Sequence, residues 1–197
     1  MAKNPSNAPM SGSSDAGAQE TSFGRWLLET IVLVALAFAL AQGIKAFVVQ
    51  PFVVPTGSML PTIELKDRLL AEKITYRFVR PPRQGEIVVF ANPDSSDPVA
   101  RILIKRVIAT GGQTVDIKDE QVYVDGKKLD EPYTYGKPSA LGTVSLPITV
   151  PEGYVWLMGD NRPNSGDSRF FGPQPVSAVQ GRAFWTYWPP GRFGRLE

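Results

Sequence analysis

Arg101-Ile-Leu-Ile-Lys-Arg-Val-Ile108 is the stretch that decides how this chain folds. It is short, apolar and rich in β-branched residues, which suit a pleated, half-buried surface. Two adjacent cations interrupt it, so one points to each face. Alternation puts Leu103 and Val107 beside Lys105, and Ile104 and Ile108 beside Arg106. The pattern alone therefore does not separate the two cations, but their chemistry does. A guanidinium stays protonated, whereas an ammonium desolvated among apolar side chains has a lowered pKa and can become a base. The competing reading of Lys105 is a side chain snorkelling from an edge strand.

Further strands are expected on both sides. Arg68–Ile74 and Glu86–Phe90 precede this stretch, and Val115–Ile117 and Gln121–Leu129 follow it, with Asp125-Gly126 as a hairpin turn. Tyr133–Ser145 is loop-like, Tyr154–Met158 reads as a buried strand and Gly181–Trp188 as the last one. Phe184, Trp185, Tyr187 and Trp188 read as core residues of that strand before they read as a membrane-contacting set. With 18 prolines and 18 glycines in 197 residues, short strands and turns are favoured over a helical bundle. The expectation is a mostly β, antiparallel domain built from residues 50–109 and 150–197, with a small β-hairpin insert over residues 110–149.

Residues 1–24 are rich in Ser, Ala, Asn and Gly and read as a disordered tail. Residues 25–49 read as a helix of membrane-spanning length, uncharged over Thr30–Ile44, with Trp26 at one interface and Lys45 able to snorkel at the other end. A cleaved signal peptide and a buried core helix compete with an anchor. The cleaved signal is disfavoured because Lys3 and Arg25 are offset by Asp15 and Glu20, so the start lacks net positive charge. Flanking charge hardly orients the helix.

Composition excludes several chemistries. The chain has no histidine and no cysteine. That removes disulfides, thiol catalysis, zinc–thiolate sites and any Ser-His-Asp arrangement, and no metal or cofactor is expected. The net charge of +2 is made of scattered residues, so nucleic acid is not an implied partner.

A nucleophile candidate stands in Val54-Pro-Thr-Gly-Ser-Met-Leu-Pro-Thr62. Gly57 allows close substrate approach to Ser58, while Pro55 and Pro61 stiffen the loop. The Ser58 amide and the Thr56 hydroxyl could together face a carbonyl oxygen. Without histidine, a base for Ser58 must be a carboxylate or a lysine. The plain alternative is a Pro/Gly-rich connection between helix and strand. A second polar cluster, Gly159-Asp-Asn-Arg-Pro-Asn-Ser-Gly-Asp-Ser-Arg169, follows a buried strand. It reads either as an ordered network with an Asp167–Arg169 ion pair or as a solvated turn.

These pieces in this order resemble the type I signal peptidases, membrane-anchored serine–lysine leader peptidases. The resemblance is carried by an anchor helix, then Pro55-Thr-Gly-Ser-Met-Leu-Pro-Thr62 with Asp67-Arg68-Leu69, then Gln84-Gly-Glu-Ile-Val-Val-Phe90, Ile104-Lys-Arg-Val-Ile108, and Gly159–Arg169 with Gly172. It implies a β catalytic domain that cuts signal peptides from exported preproteins after small residues through an acyl-enzyme. Ser58 would be the nucleophile, Lys105 the general base and Thr56 an oxyanion support. Ser165 would hydrogen-bond the lysine, Asp160, Arg162, Asp167 and Arg169 would brace the site, and Met59 would pack beside the substrate groove. Implied partners are preprotein signal peptides and the lipid bilayer. The implied place is the plasma membrane, single-pass with the catalytic domain outside the cytoplasm, or a thylakoid membrane in a cyanobacterium. Ala109-Thr-Gly-Gly112 departs from the turn many members carry there, and the short insert looks like that of the smaller single-anchor members. Two rivals are a membrane-tethered peptide-binding β module without catalysis and a repressor-type serine–lysine self-cleaving protease. The second would carry a DNA-binding helix-turn-helix, which the sequence lacks.

Overall fold

The computed structural model describes residues 16–93 and 101–196. An N-terminal unit runs to Gly43 and a second unit starts at Ile44. The first unit is most of a helix, α1, Ala16–Phe47. Within it Phe23–Ile44 has a mean hydropathy of 2.1 and none of its apolar window is buried, so it is long and apolar enough to cross a membrane. Leu33, Phe38 and Leu40 are exposed around the helix, which leaves it without the protein partner that a core helix requires. The helix begins earlier than the boundary expected at residue 25. Ala16, Ala18, Gln19 and Glu20 are good helix formers and no proline follows Pro9 before the apolar run. Residues 1–15 of the expected tail, and the side chain of Lys45, lie outside the described residues. At the other end the helix stops at Phe47, and Val49 belongs to a strand. Pro51 biases Gln50 to extended backbone, and a proline is tolerated there because its strand is a sheet edge.

Among its described residues the second unit carries twelve short strands: β1 Val49–Val53, β2 Arg68–Glu72, β3 Ile87–Ala91, β4 Ile102–Thr110, β5 Thr114–Lys118, β6 Gln121–Val124, β7 Lys127–Lys128, β8 Ile148–Thr149, β9 Tyr154–Met158, β10 Gln174–Pro175, β11 Val179–Trp188 and β12 Gly194–Arg195. The larger sheet has the order β1-β2-β11-β3-β4-β9-β10, with β12 on β11, and its pairings are antiparallel. Central strand β3 is buried at Ile87, Val88, Val89 and Phe90, so it reads as a continuous apolar run rather than an alternating one. Register shifts in β11 and between Val107 and Ala109 in β4 curl this sheet. One face packs Phe52, Val54, Met59, Ile63, Leu69 and Ile104 together, and the other packs Val88, Phe90, Val107, Val155 and Leu157.

The smaller sheet, β7-β6-β5-β8, is drawn from residues 114–149. Asp125 and Gly126 take φ of 52° and 74°, the geometry a two-residue hairpin needs between paired Val124 and Lys127. Its apolar side packs with Trp156, Met158 and Ile108. The C-terminal aromatics differ from the core reading. Phe184, Trp185 and Tyr187 are half-buried and Trp188 is exposed, because Gly181, Ala183 and, past the register shift between Ala183 and Trp185, Thr186 take the inward face of β11.

Candidate active site

Lys105 lies on β4 opposite Val88 of β3, on the face shared with Leu103 and Val107. Its side chain is 1% exposed. Burial lowers the ammonium pKa from 10.5 to about 8, against the pull of the Asp167 and Asp160 carboxylates, with Arg169 pushing it down further. The ammonium donates to Ser58 Oγ at 2.6 Å and to the Ile104 carbonyl at 3.2 Å. Ser58 is 7% exposed and sits in the turn that follows β1. Thr56 is exposed beside it, with its hydroxyl 3.4 Å from Ser58 Oγ. A serine hydroxyl, an amine whose pKa burial brings to about 8 and a second hydroxyl thus meet at one point.

The polar loop after β9 is an ordered, buried network. Asp167 caps the short helix α2, Ser168–Phe171, by accepting from the Arg169 amide. It holds the Arg169 guanidinium at 2.8 and 2.9 Å and accepts from the Gly159 amide at 3.1 Å. Asp160 takes a two-pronged grip from Arg106 at 2.9 and 2.7 Å and a bond from the Thr62 hydroxyl at 2.6 Å. The Arg106 guanidinium also stacks 3.9 Å over the Tyr133 ring. The second cation of the deciding stretch is therefore a structural partner of the loop. Arg162 leaves the loop to pair with Glu131 and Ser139 of the segment after β7, and keeps a bond to the Gly159 carbonyl at 3.2 Å.

Two expectations do not match this arrangement. Ser165 Oγ is buried without a hydrogen-bond partner among the described residues, and the expected bond to Lys105 is not formed because the ammonium turns to Ile104 instead. Ser165 packs against Gly159, which has no side chain to keep it away. Met59 is 1% exposed within the apolar cluster under the Ser58 turn, so it does not line an open groove.

Asn161 is a site residue that sequence reasoning passed over as one polar group among many. Its backbone amide donates to Ser58 O at 3.0 Å and its side chain to Gly57 O at 2.9 Å, clamping the backbone of the Ser58 turn. Lys137 holds the other end of that side chain at 2.9 Å. No local signal separates Asn161 from Asn164.

A buried pair robbed of one member leaves a charge stranded. Asp160→Ala is expected to destabilise the domain by about 3–5 kcal/mol, because Arg106 stays buried and ionised. Urea unfolding of the β domain measures it, and a loss below about 1 kcal/mol would mean that the guanidinium finds water.

The chain is similar to several known proteins. Residues 27–188 match the family model described as signal peptidase, peptidase S26. A Synechocystis protein named "Probable signal peptidase I-1" is 40% identical over 87% of this chain and 88% of its own length. A signal peptidase I of Leptolyngbya laminosa is 40% identical over 86% of this chain and 84% of that one. Thylakoidal processing peptidase 1 of Arabidopsis thaliana is 33% identical over 83% of this chain and 47% of its own length.

Proposed function

The chain belongs to the signal peptidase family, peptidase S26, and on that premise we propose that it is a signal peptidase I, cutting preproteins with Ser58 as nucleophile and Lys105 as base. The observation that carries this reading is the 2.6 Å approach of Lys105 Nζ to Ser58 Oγ in a chain without histidine. Neutral Lys105 takes the Ser58 proton as Oγ attacks the scissile carbonyl. The Ser58 amide and the Thr56 hydroxyl take up the developing negative charge. Lys105 then hands its proton to the leaving amine, and in the second half draws one from the water that opens the ester. Asn161 and Gly159 set the position of the Ser58 backbone, while the two buried ion pairs hold the loop that carries them.

The substrate's extended backbone has strand edges to join. β1 is an outer strand, and β4 pairs with β9 only from Arg106 onward, so among the described residues Ile102–Lys105 has no strand paired on that side. A peptide added there passes the Ser58 turn and gains specificity from pockets for alternate side chains. Small pockets explain a preference for alanine one and three positions before the cut. The apolar helix fits a membrane anchor, which raises the local concentration of membrane-bound precursors without new contacts. The catalytic unit works on the extracytoplasmic side of the plasma membrane, or at the thylakoid.

Detergent-solubilised protein incubated with a preprotein should release a mature chain whose new N-terminus follows a small residue. The rate should climb about tenfold per pH unit below pH 8 and level off above it, because protonated Lys105 is the inactive form. A rate independent of pH between 6 and 9 would remove Lys105 as the base.

A further inference from the structure

The segment between β7 and β8 reaches the Ser58 turn through one side chain. Lys137 follows a turn of two left-handed residues, Tyr135 and Gly136, with φ of 55° and 72°, closed by the Lys137 amide on Thr134 O at 3.2 Å. Left-handed backbone is uncommon at a residue other than glycine, and Tyr135 gains no burial by it, since its side chain is 74% exposed. The turn is pinned on both sides. The Thr134 hydroxyl donates to Glu131 O at 2.8 Å, and the Ser139 amide to Glu120 O at 2.8 Å. What this backbone places is the Lys137 ammonium, which donates to Asn161 Oδ1 at 2.9 Å. Glu131 of the same segment is taken by Arg162, so the ammonium is spent on a neutral carboxamide.

A carboxamide has one accepting and one donating end, and rotated by half a turn it offers the wrong end to both neighbours. In Asn161 the Nδ2 end donates to Gly57 O at 2.9 Å. The reversed form would set Nδ2 against an ammonium, which accepts nothing, and Oδ1 against the Gly57 carbonyl. Lys137 thus selects the form that grips Gly57. Gly57 O also accepts from the Leu60 amide at 3.2 Å, but that bond lies inside the turn and moves with it, whereas Asn161 ties the turn to the loop after β9. Gly57 O and the Ser58 N–H belong to one planar trans peptide and point in opposite directions. Holding the carbonyl therefore aims the N–H that would meet the developing oxyanion. On the peptidase reading above, we infer that Lys137 is a positioning residue for the reaction, setting the direction of the Ser58 N–H through Asn161.

Lys137→Met keeps an aliphatic stem and loses the donor, while Lys137→Arg keeps a cation with donors. With detergent-solubilised full-length protein and a preprotein, Lys137→Met is expected to lower kcat about tenfold and to leave KM within about twofold, because an oxyanion donor acts on the transition state. Lys137→Arg should recover at least about a third of the parent kcat, since a guanidinium also donates to Asn161 Oδ1. Asn161→Ala removes the link itself, so adding Lys137→Met to it should change kcat by less than about twofold. A lysine that only stabilises the fold would show its loss in urea unfolding with kcat of the folded protein unchanged, and that result would overturn the inference. So would a loss of the same size in the Asn161→Ala background, or a loss confined to KM. A parent that cleaves no preprotein, or a Ser58→Ala variant that still does, would overturn the peptidase reading and this inference together. A parent-like Lys137→Met in an enzyme that cleaves would overturn this inference alone.

Discussion

Lys105→Arg is expected to lower kcat/KM by about 10³-fold or more at every accessible pH. Arginine keeps the charge and much of the length, and it retains donors for Ser58 Oγ, but a guanidinium does not give up its proton. A site that needed only a cation beside Ser58 would tolerate the exchange. The difference between the residues is the neutral form, which burial makes accessible by lowering the lysine pKa to about 8. At pH 8 about half the lysines are then neutral, against about 0.3% for an unperturbed side chain. Because arginine is bulkier and the position is 1% exposed, Lys105→Met serves as the second variant. It removes the base, adds no obligate charge, and should unfold within about 1 kcal/mol of the parent or above it. Turnover within tenfold of the parent in either folded variant would end the role of Lys105 as base.

Gly159→Ala should cost about 10²–10³-fold in kcat although Gly159 touches no reacting atom. A Cβ on Gly159 would overlap the Ser58 carbonyl oxygen and Ser165 Oγ. Rotating the serine relieves only one of those clashes, because the other is with backbone. The chain must therefore separate at Ser58 or at Gly159. Either movement lengthens the Asn161 bond to Ser58 O, now 3.0 Å, and lifts Ser58 Oγ from Lys105. Overpacking of this kind also destabilises by about 1–3 kcal/mol. Parent-like kcat in Gly159→Ala would show that the Ser58 turn has slack that the packing denies.

The strands were legible because their signals are local. Ile87–Phe90 and Tyr154–Met158 are apolar runs bounded by turn residues, and Asp125-Gly126 supplies the positive φ angles that its hairpin uses. The start of α1 was less legible, since Ala16–Gly24 mixes helix formers with residues typical of tails. Within the site, Lys105 and Ser58 could each be singled out by chemistry. Lysine is one of the bases, beside the carboxylates, that a histidine-free, cysteine-free chain can still offer a serine, and glycine and proline shape the serine's turn. The pairing of the polar residues was not legible. Arg106 and Asp160 are 54 positions apart, Arg162 and Glu131 are 31 apart, and Asn161 reaches Gly57 across 104.

By itself the sequence determined the β character, the apolar span and a short set of groups able to do acid–base work. Those follow from side-chain volume, alternation and intrinsic proton affinity, which each residue carries wherever it sits. Tertiary structure alone decided which arginine meets which carboxylate, that Ser165 faces Gly159 rather than the lysine, and that Lys105 comes within 2.6 Å of Ser58. Such choices depend on sheet order and on the register shift in β4. A displacement of one residue there would exchange Lys105 for Arg106 beside Ser58, because successive side chains of a strand face opposite ways.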